Sequence, residues 1–244
     1  MHTASDGQAR GALPQMLAYT RSSPVDGWLG GFLSTIDSQG DAALKLGLDI
    51  PLSALLQSKV RGEVSLPGNS LQFRQLPLPP LQAVRGVLNF NERGVSSPGI
   101  GFAAFGGQGR LTATQLRDDV MQFAVQGDAA ITPVLQQYVP LLSPLVSGRT
   151  PYQANFDISN NLDDLQLLLS LRGVAIQAPA PLAKPADAEW PLQLRLRPTL
   201  QGWQLAWQQQ ERAQGTVTLD SHGNLRGVGV GVGAEVPASP QQIG

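Results

Sequence analysis

The sequence predicts a mainly β protein whose short antiparallel strands follow one another in a meander. Three observations carry that prediction. Apolar residues recur at every second position over many separate runs, and the runs end on turn-forming residues. Charged residues make up only 14% of the 244 residues, while 27 Gly and 19 Pro supply abundant turn and bulge positions. Apolar residues stand at 42% and recur with order, which excludes a disordered chain.

The elements follow in order. Leu44, Leu46, Leu48 and Ile50 alternate with Lys45, Gly47 and Asp49. Val60, Gly62, Val64 and Leu66 share one parity; Pro67-Gly68-Asn69 then reads as a turn, and Leu71 and Phe73 as a new strand. Val84, Leu88 and Phe90 run into a turn at Asn91-Glu92-Arg93-Gly94. Gly99-Ile100-Gly101 and Phe105-Gly106-Gly107-Gln108-Gly109 read as strand bends or bulges. Met121, Phe123 and Val125 form the next run, and Tyr152, Ala154, Phe156 and Ile158 lead to Asn160-Asn161. Then come Leu165, Leu167, Leu169 and Leu171, followed by Leu192, Leu194 and Leu196. Trp203, Leu205 and Trp207 repeat the pattern, as do Val217 and Leu219 before Ser221-His222-Gly223-Asn224. Gly227 to Gly233 alternates glycine with valine, so one face of that strand carries no side chains. Roughly a dozen strands result. Two stretches depart from period two. Pro51 to Ser58 fits one short helical turn, and Thr132-Pro133 reads as an N-cap and first position of a short helix through Val139.

Chemistry-bearing motifs are scarce. The chain has no cysteine, which excludes disulfides, thiolate catalysis and zinc–cysteine sites. A net charge of −1 with scattered arginines gives no electrostatic footprint for nucleic acid. His2 lies at a terminus and His222 in a turn, with no Gly-x-Ser-x-Gly elbow to complete a triad. Asp118-Asp119 and Asp163-Asp164 are paired carboxylates, the raw material of acid–base or metal sites. They sit beside turn signals, and neighbours along a strand point to opposite faces, so they read as solvated turn residues. The glycine clusters lack the lysine of a phosphate loop. The expectation is a non-enzyme with no cofactor and no metal. No apolar run reaches the ~18 residues of a membrane-spanning helix, and the N-terminus lacks a signal pattern, so any anchor is expected outside this chain.

Two architectures satisfy a one-sided strand pattern. A closed sandwich or barrel buries the apolar parity as core, and periodicity alone favours it. An open, curved sheet leaves that parity as a binding surface. Motifs separate them. Leu46 to Asn69 (LGLDIPLSALLQSKVRGEVSLPGN) carries a strand into Pro51-Leu52 and then a Val-x-Gly-x-Val-x-Leu-x-Gly-Asn strand. Leu81 to Phe90 (LQAVRGVLNF), Val95-Ser96-Ser97 and Phe105-Gly106-Gly107 follow. Leu171 to Leu194 (LRGVAIQAPAPLAKPADAEWPLQL) adds Ala180-Pro181-Leu182-x-Lys184 and Trp190-Pro191-Leu192. Together these cover about two-thirds of the chain, with Pro185 departing from the pattern. This set resembles the AsmA-like family of Gram-negative envelope proteins, its YhdP branch most closely.

The resemblance implies an open, curved antiparallel β-sheet, a β-taco or half-barrel groove, with one or two short helices. It further implies an internal, periplasmic segment of a protein anchored in the inner membrane by an N-terminal helix outside this chain. Such proteins carry phospholipid toward the outer membrane. The expected partners are therefore phospholipid acyl chains and the flanking segments of the same protein, with no nucleic acid. Residues 1–25 are expected as a poorly ordered or linker lead-in, 26–235 as the groove segment and 236–244 as a flexible tail. Strand parity assigns Leu44, Leu46, Leu48, Ile50, Val64, Phe73, Leu88, Phe90, Phe123, Phe156, Leu194 and Leu196 to the lipid-facing trough. The alternative is a structural or adhesive β module of a surface protein, with a closed core and no ligand.

Overall fold

Each run of alternating residues pairs antiparallel with its neighbour in sequence, so the meander signature of the chain becomes the order of the sheet. The computed structural model describes residues 2–20, 32–51, 59–74, 76, 78–91, 94–117, 120–158, 165–179, 183–210, 213–232 and 241–242. The strands are β1 (His2–Ala12), β2 (Ile36–Gln39), β3 (Asp41–Pro51), β4 (Lys59–Phe73), β5 (Leu81–Asn91), β6 (Gly94–Ala104), β7 (Gly107–Arg117) and β8 (Val120–Ala130). They continue as β9 (Val146–Ile158), β10 (Leu165–Leu169), β11 (Val174–Ile176), β12 (Leu192–Thr199), β13 (Gly202–Gln209), β14 (Ala213–Asp220), β15 (Leu225–Val232) and β16 (Gln241–Gln242). The sheet runs β1-β3-β4-β5-β6-β7-β8-β9-β10-β12-β13-β14-β15-β16, with β2 on β4 and β11 on β9. Among the described residues β1 and β16 stand at its two ends and do not pair with each other. The sheet is open, which removes the closed-core alternative. At ~4.8 Å between strands it is roughly 60 Å long, and its 11-residue strands span about 36 Å.

Several expectations are corrected. The lead-in over residues 1–25 contains a full edge strand, β1, and a helix, α1 (Leu13–Thr20). In the tail, Gln241–Gln242 pair with Val228 and Gly227. Pro67-Gly68-Asn69 is not a turn but a bulge inside the single 15-residue strand β4. β2 and β3 are two halves of one broken strand, and β4 pairs with both, Ile36↔Phe73 on one side of the break and Ala43↔Ser65 on the other. Gly40 occupies the break at φ +95°, a conformation costly for any other residue. Asn69 spans it: its Nδ2 donates to the carbonyls of Gln39 (3.1 Å) and Asp41 (3.0 Å). The bulge thus places a bridging amide where the neighbouring strand breaks.

The second helix, α2 (Ile131–Tyr138), lies where a short helix was expected. Its N-cap, however, is Ala130, without a side-chain cap bond. Thr132 instead donates its hydroxyl to the Val146 carbonyl (3.3 Å), and Pro133 falls within the first turn, where a missing N–H is harmless. The turn expected after Pro51 lies outside the described residues. Connections divide by rim. Tight links join Asn91 to Gly94, Arg117 to Val120, Thr199 to Gly202 and Asp220 to Leu225 on one rim. All described helical pieces, and β11, lie on the other, which we term the lobed rim.

Candidate functional site: one apolar face of the sheet

Residues directly paired across an antiparallel ladder share a face, so the registers trace that face strand by strand. One row begins Ala9–Leu44–Val64–Leu88. Two residues along β5 it continues Gly86–Ile100–Leu111–Val125–Ala154, then Leu167–Leu194–Trp207–Gly215–Val230. Parallel rows are Leu46–Gly62–Phe90–Val95, Phe123–Phe156 and Leu165–Leu196–Leu205–Val217–Val228. Leu48 and Ile50 continue the parity of β3, in register with Val60 and Thr3. The β4 bulge shifts its parity by one, which keeps Leu71 and Phe73 on the same face, opposite Leu81 and Ile36. Of the parity-assigned residues, the ten with described side chains share one side of the sheet; the side chains of Leu48 and Ile50 lie outside the described ones. From β3 through β15, the described registers bring no Asp, Glu, Lys or Arg onto it.

The opposite face is polar. Lys45 pairs with Glu63 at 2.8 Å, and Arg110–Gln126–Gln153–Leu168–Gln193–Gln208–Gln214 forms a row rich in amides. Arg149 grips Asp128, and that hydrogen-bonded guanidinium holds the carboxyl below its ordinary range. A wide, open depression of about 840 Å³ lies on this face, lined by Gln126, Gln153, Leu168 and Gln193. Amides that would lose water there make it a poor seat for hydrocarbon.

The apolar face curls on itself. Val95 of β6 and Met121 of β8 pack together across β7, with Leu88, Phe90, Phe123 and Phe156 around them. The Phe123 and Phe156 rings stack at 5.1 Å and 9°. A second cluster joins Val84, Ile100, Phe102 and Ala104 to Leu66, Leu111 and Val125. In a third, Leu196, Trp203 and Leu219 meet Leu165, Leu205, Val217 and, from the β4–β5 connection, Leu76. Contacts between strands that are not neighbours require curvature toward this face.

Aromatic rings lie over cross-strand glycines on this face: Phe90 on Gly62, Phe102 on Gly109 and Trp207 on Gly215. Each ring occupies the volume a Cβ would take, so large side chains lie flat against the main chain and leave the trough deep. Gly62→Ala is expected to lower stability by about 1–3 kcal/mol through overpacking against Phe90. Gly7→Ala, on the same face with nothing within 4 Å of the added carbon, leaves the urea midpoint unchanged. Equal midpoints for the two variants would contradict the packing described.

Among the described residues the remaining candidates do not converge on a site. Asp118, Asp119, Asp163 and Asp164 lie outside the described residues. His222 is exposed in the β14–β15 turn, and its N–H donates to Asp220 Oδ1 (2.9 Å). Asp220 also accepts from Asn224 N–H (2.9 Å) and Nδ2 (3.0 Å), and these bonds hold its pKa down at about 2. Among the described residues no three His, Asp or Glu side chains converge. Lys184 of the Ala-Pro-Leu-x-Lys motif is 2% exposed; its Nζ donates to the carbonyls of Val174 (2.7 Å) and Pro185 (3.1 Å). Burial lowers its pKa, and its work is to pin the excursion that carries β11 to the lobed rim. Parity reading omitted Ile100, Leu111, Leu167, Trp203 and Trp207, which share the face. The tryptophans stood in a legible alternating run, whereas the glycines around Ile100 obscured its alternation.

No described helix is long and apolar enough to cross a membrane. The family model described as YhdP protein matches residues 4–243. No curated protein and no solved structure matches the chain.

Proposed function

From the premise that this chain belongs to the YhdP family, we propose that it is a length of a bridge-like lipid-transfer protein of the bacterial envelope. Its apolar face gives phospholipid acyl chains a groove across the periplasm, between inner and outer membranes. The observation that carries this reading is the uncharged row crossing one face of an open sheet from β3 to β15. Hydrocarbon needs a dry surface and no reactive group; each CH₂ removed from water is worth ~0.8 kcal/mol. Headgroups stay hydrated along the slit that an open sheet leaves. Among the described residues the outer edges of β1 and β16 have no pairing strand, which suits addition of further strands of the same protein, since an unpaired edge is a template for strand addition.

A photo-crosslinking residue tests the reading face by face. At Leu46, Phe90 or Leu194 it is expected to capture phospholipid; at Lys45, Asn89 or Arg195 it is expected to capture none. Successive residues report on opposite faces, so capture at both parities, or at neither, would overturn the assignment.

A further inference from the structure

The polar face carries a row with its own chemistry. Gln126, Gln153, Leu168, Gln193, Gln208 and Gln214 stand directly opposite one another on β8, β9, β10, β12, β13 and β14. The first five are exposed and Gln214 is half-buried. Five strand spacings make the row about 24 Å long, running across the strands rather than along them. A face that only meets water is well served by charges of both signs. Here five of the six side chains are neutral amides, and the other is a leucine left 47% exposed between Gln153 and Gln193.

The row borders a hollow. The depression of about 840 Å³ adjoins a second of about 360 Å³, and Leu168 and Gln193 line both. The second is also lined by Ala206, Thr216 and Gly229, which are partners in turn on β13, β14 and β15 and are all small. The floor therefore drops beside the amides, leaving room for a bulky ligand along a line of hydrogen-bonding groups.

We propose that this trough binds an extended, uncharged polysaccharide, a β-linked chain of N-acetylated sugars lying across the strands from β8 to β14. A carboxamide has N–H donors and a carbonyl acceptor, a match for hydroxyl and acetamide groups that likewise donate and accept. Leu168 offers an apolar contact to the C–H face of a sugar ring. An extended β-linked chain advances by one ring in about the distance between neighbouring strands, so successive rings meet successive amides. Other ligands fit less well. A polyanion needs a line of cations, whereas the charged residues on the trough's lining, Arg110, Arg195 and Glu189, nearly cancel. A peptide strand adds at a sheet edge, where main-chain groups are unpaired, not on a face. Hydrocarbon would strip the amides of water. The trough lies opposite the proposed lipid groove, so it stands or falls separately from that reading.

Titration of the whole chain with chitohexaose, the β-linked hexamer of N-acetylglucosamine, tests the proposal by calorimetry. Binding is expected, and Gln153→Ala with Gln193→Ala is expected to weaken it by about tenfold or more, as fits the loss of two hydrogen-bonding groups. Both positions are exposed, so the variant keeps the circular dichroism spectrum of the parent chain. Gln122→Ala removes an exposed amide on the same face of β8 but outside the trough. It is expected to leave the affinity within about twofold, the size of an ordinary surface change. No binding of chitohexaose by the parent chain overturns the proposal. So does equal weakening by Gln122→Ala, because the trough is then not the site. Binding of heparin in place of chitohexaose also overturns it, because charge then decides.

Discussion

Leu194→Arg is expected to abolish lipid capture while leaving the sheet folded, and Leu196→Arg to unfold the C-terminal strands. The two leucines lie two residues apart on one strand and one face, so hydrophobicity alone does not separate them. Their surroundings do. Leu194 is half-buried, and an arginine there can lift its guanidinium toward the open side of the groove while its stem covers the floor. Leu196 is 8% exposed and packs with Trp203 and Leu219, and a charge placed there has no partner. An unpaired buried charge costs several kcal/mol, a large share of a domain's net stability. The charged groove floor at position 194 also repels hydrocarbon, so capture falls by about tenfold or more, equivalent to about 1.4 kcal/mol. Circular dichroism and crosslinking from the same preparation check both halves. Unfolding by Leu194→Arg would mean that the face is closed after all.

The second large effect is expected at Asn69. It is 1% exposed, and its amide joins the carbonyls on either side of the Gly40 break, while its Oδ1 is buried without a partner. Asn69→Ala removes two bonds and strands two carbonyls, for an expected loss of about 2–4 kcal/mol. Asn69→Asp keeps the size but sets a carboxylate against both carbonyls, so it is expected to be at least as damaging. Urea denaturation reads both. A loss for Asn69→Ala below about 0.5 kcal/mol, the level of an ordinary surface change, would show that the break holds without its bridge.

Strands were legible wherever side chains alternate in size and end on turn residues. β3, β5, β8, β9, β10, β12, β13 and β14 fall on the runs that period two predicts, and Asn91 pairs with Gly94 on either side of the expected turn. β1 was not legible. Its sequence, HTASDGQARGA, has no apolar alternation, and it is a strand because the edge of β3 is there to pair with. The Pro67-Gly68-Asn69 signal is common to turns and bulges; only the break in the partner strand decides between them. Thr132 failed as a cap because the helix begins one residue earlier, at Ile131, which leaves Thr132 inside the first turn with its hydroxyl donating to the Val146 carbonyl. Parity groups residues by face within a run, since a pleat admits no other arrangement. It carried no information on whether the sheet closes, nor on the packing of Leu76 against the Leu196–Trp203–Leu219 cluster, which arises only through the curl of the whole sheet. Such contacts have no local periodicity from which to be read.

The order of strands has a consequence for how such a protein is made. From β4 to β10 every strand hydrogen-bonds the one synthesised just before it, and from β13 to β16 the same holds again. Nothing in those ladders waits for a distant partner, so loop-closure entropy stays small at each step. A chain that threads through a membrane pore can therefore zip up from its leading end, each finished strand offering its bare edge as the mould for the next. Pulled from one end, it would come apart in the reverse order, one hairpin at a time, rather than in a single cooperative rupture.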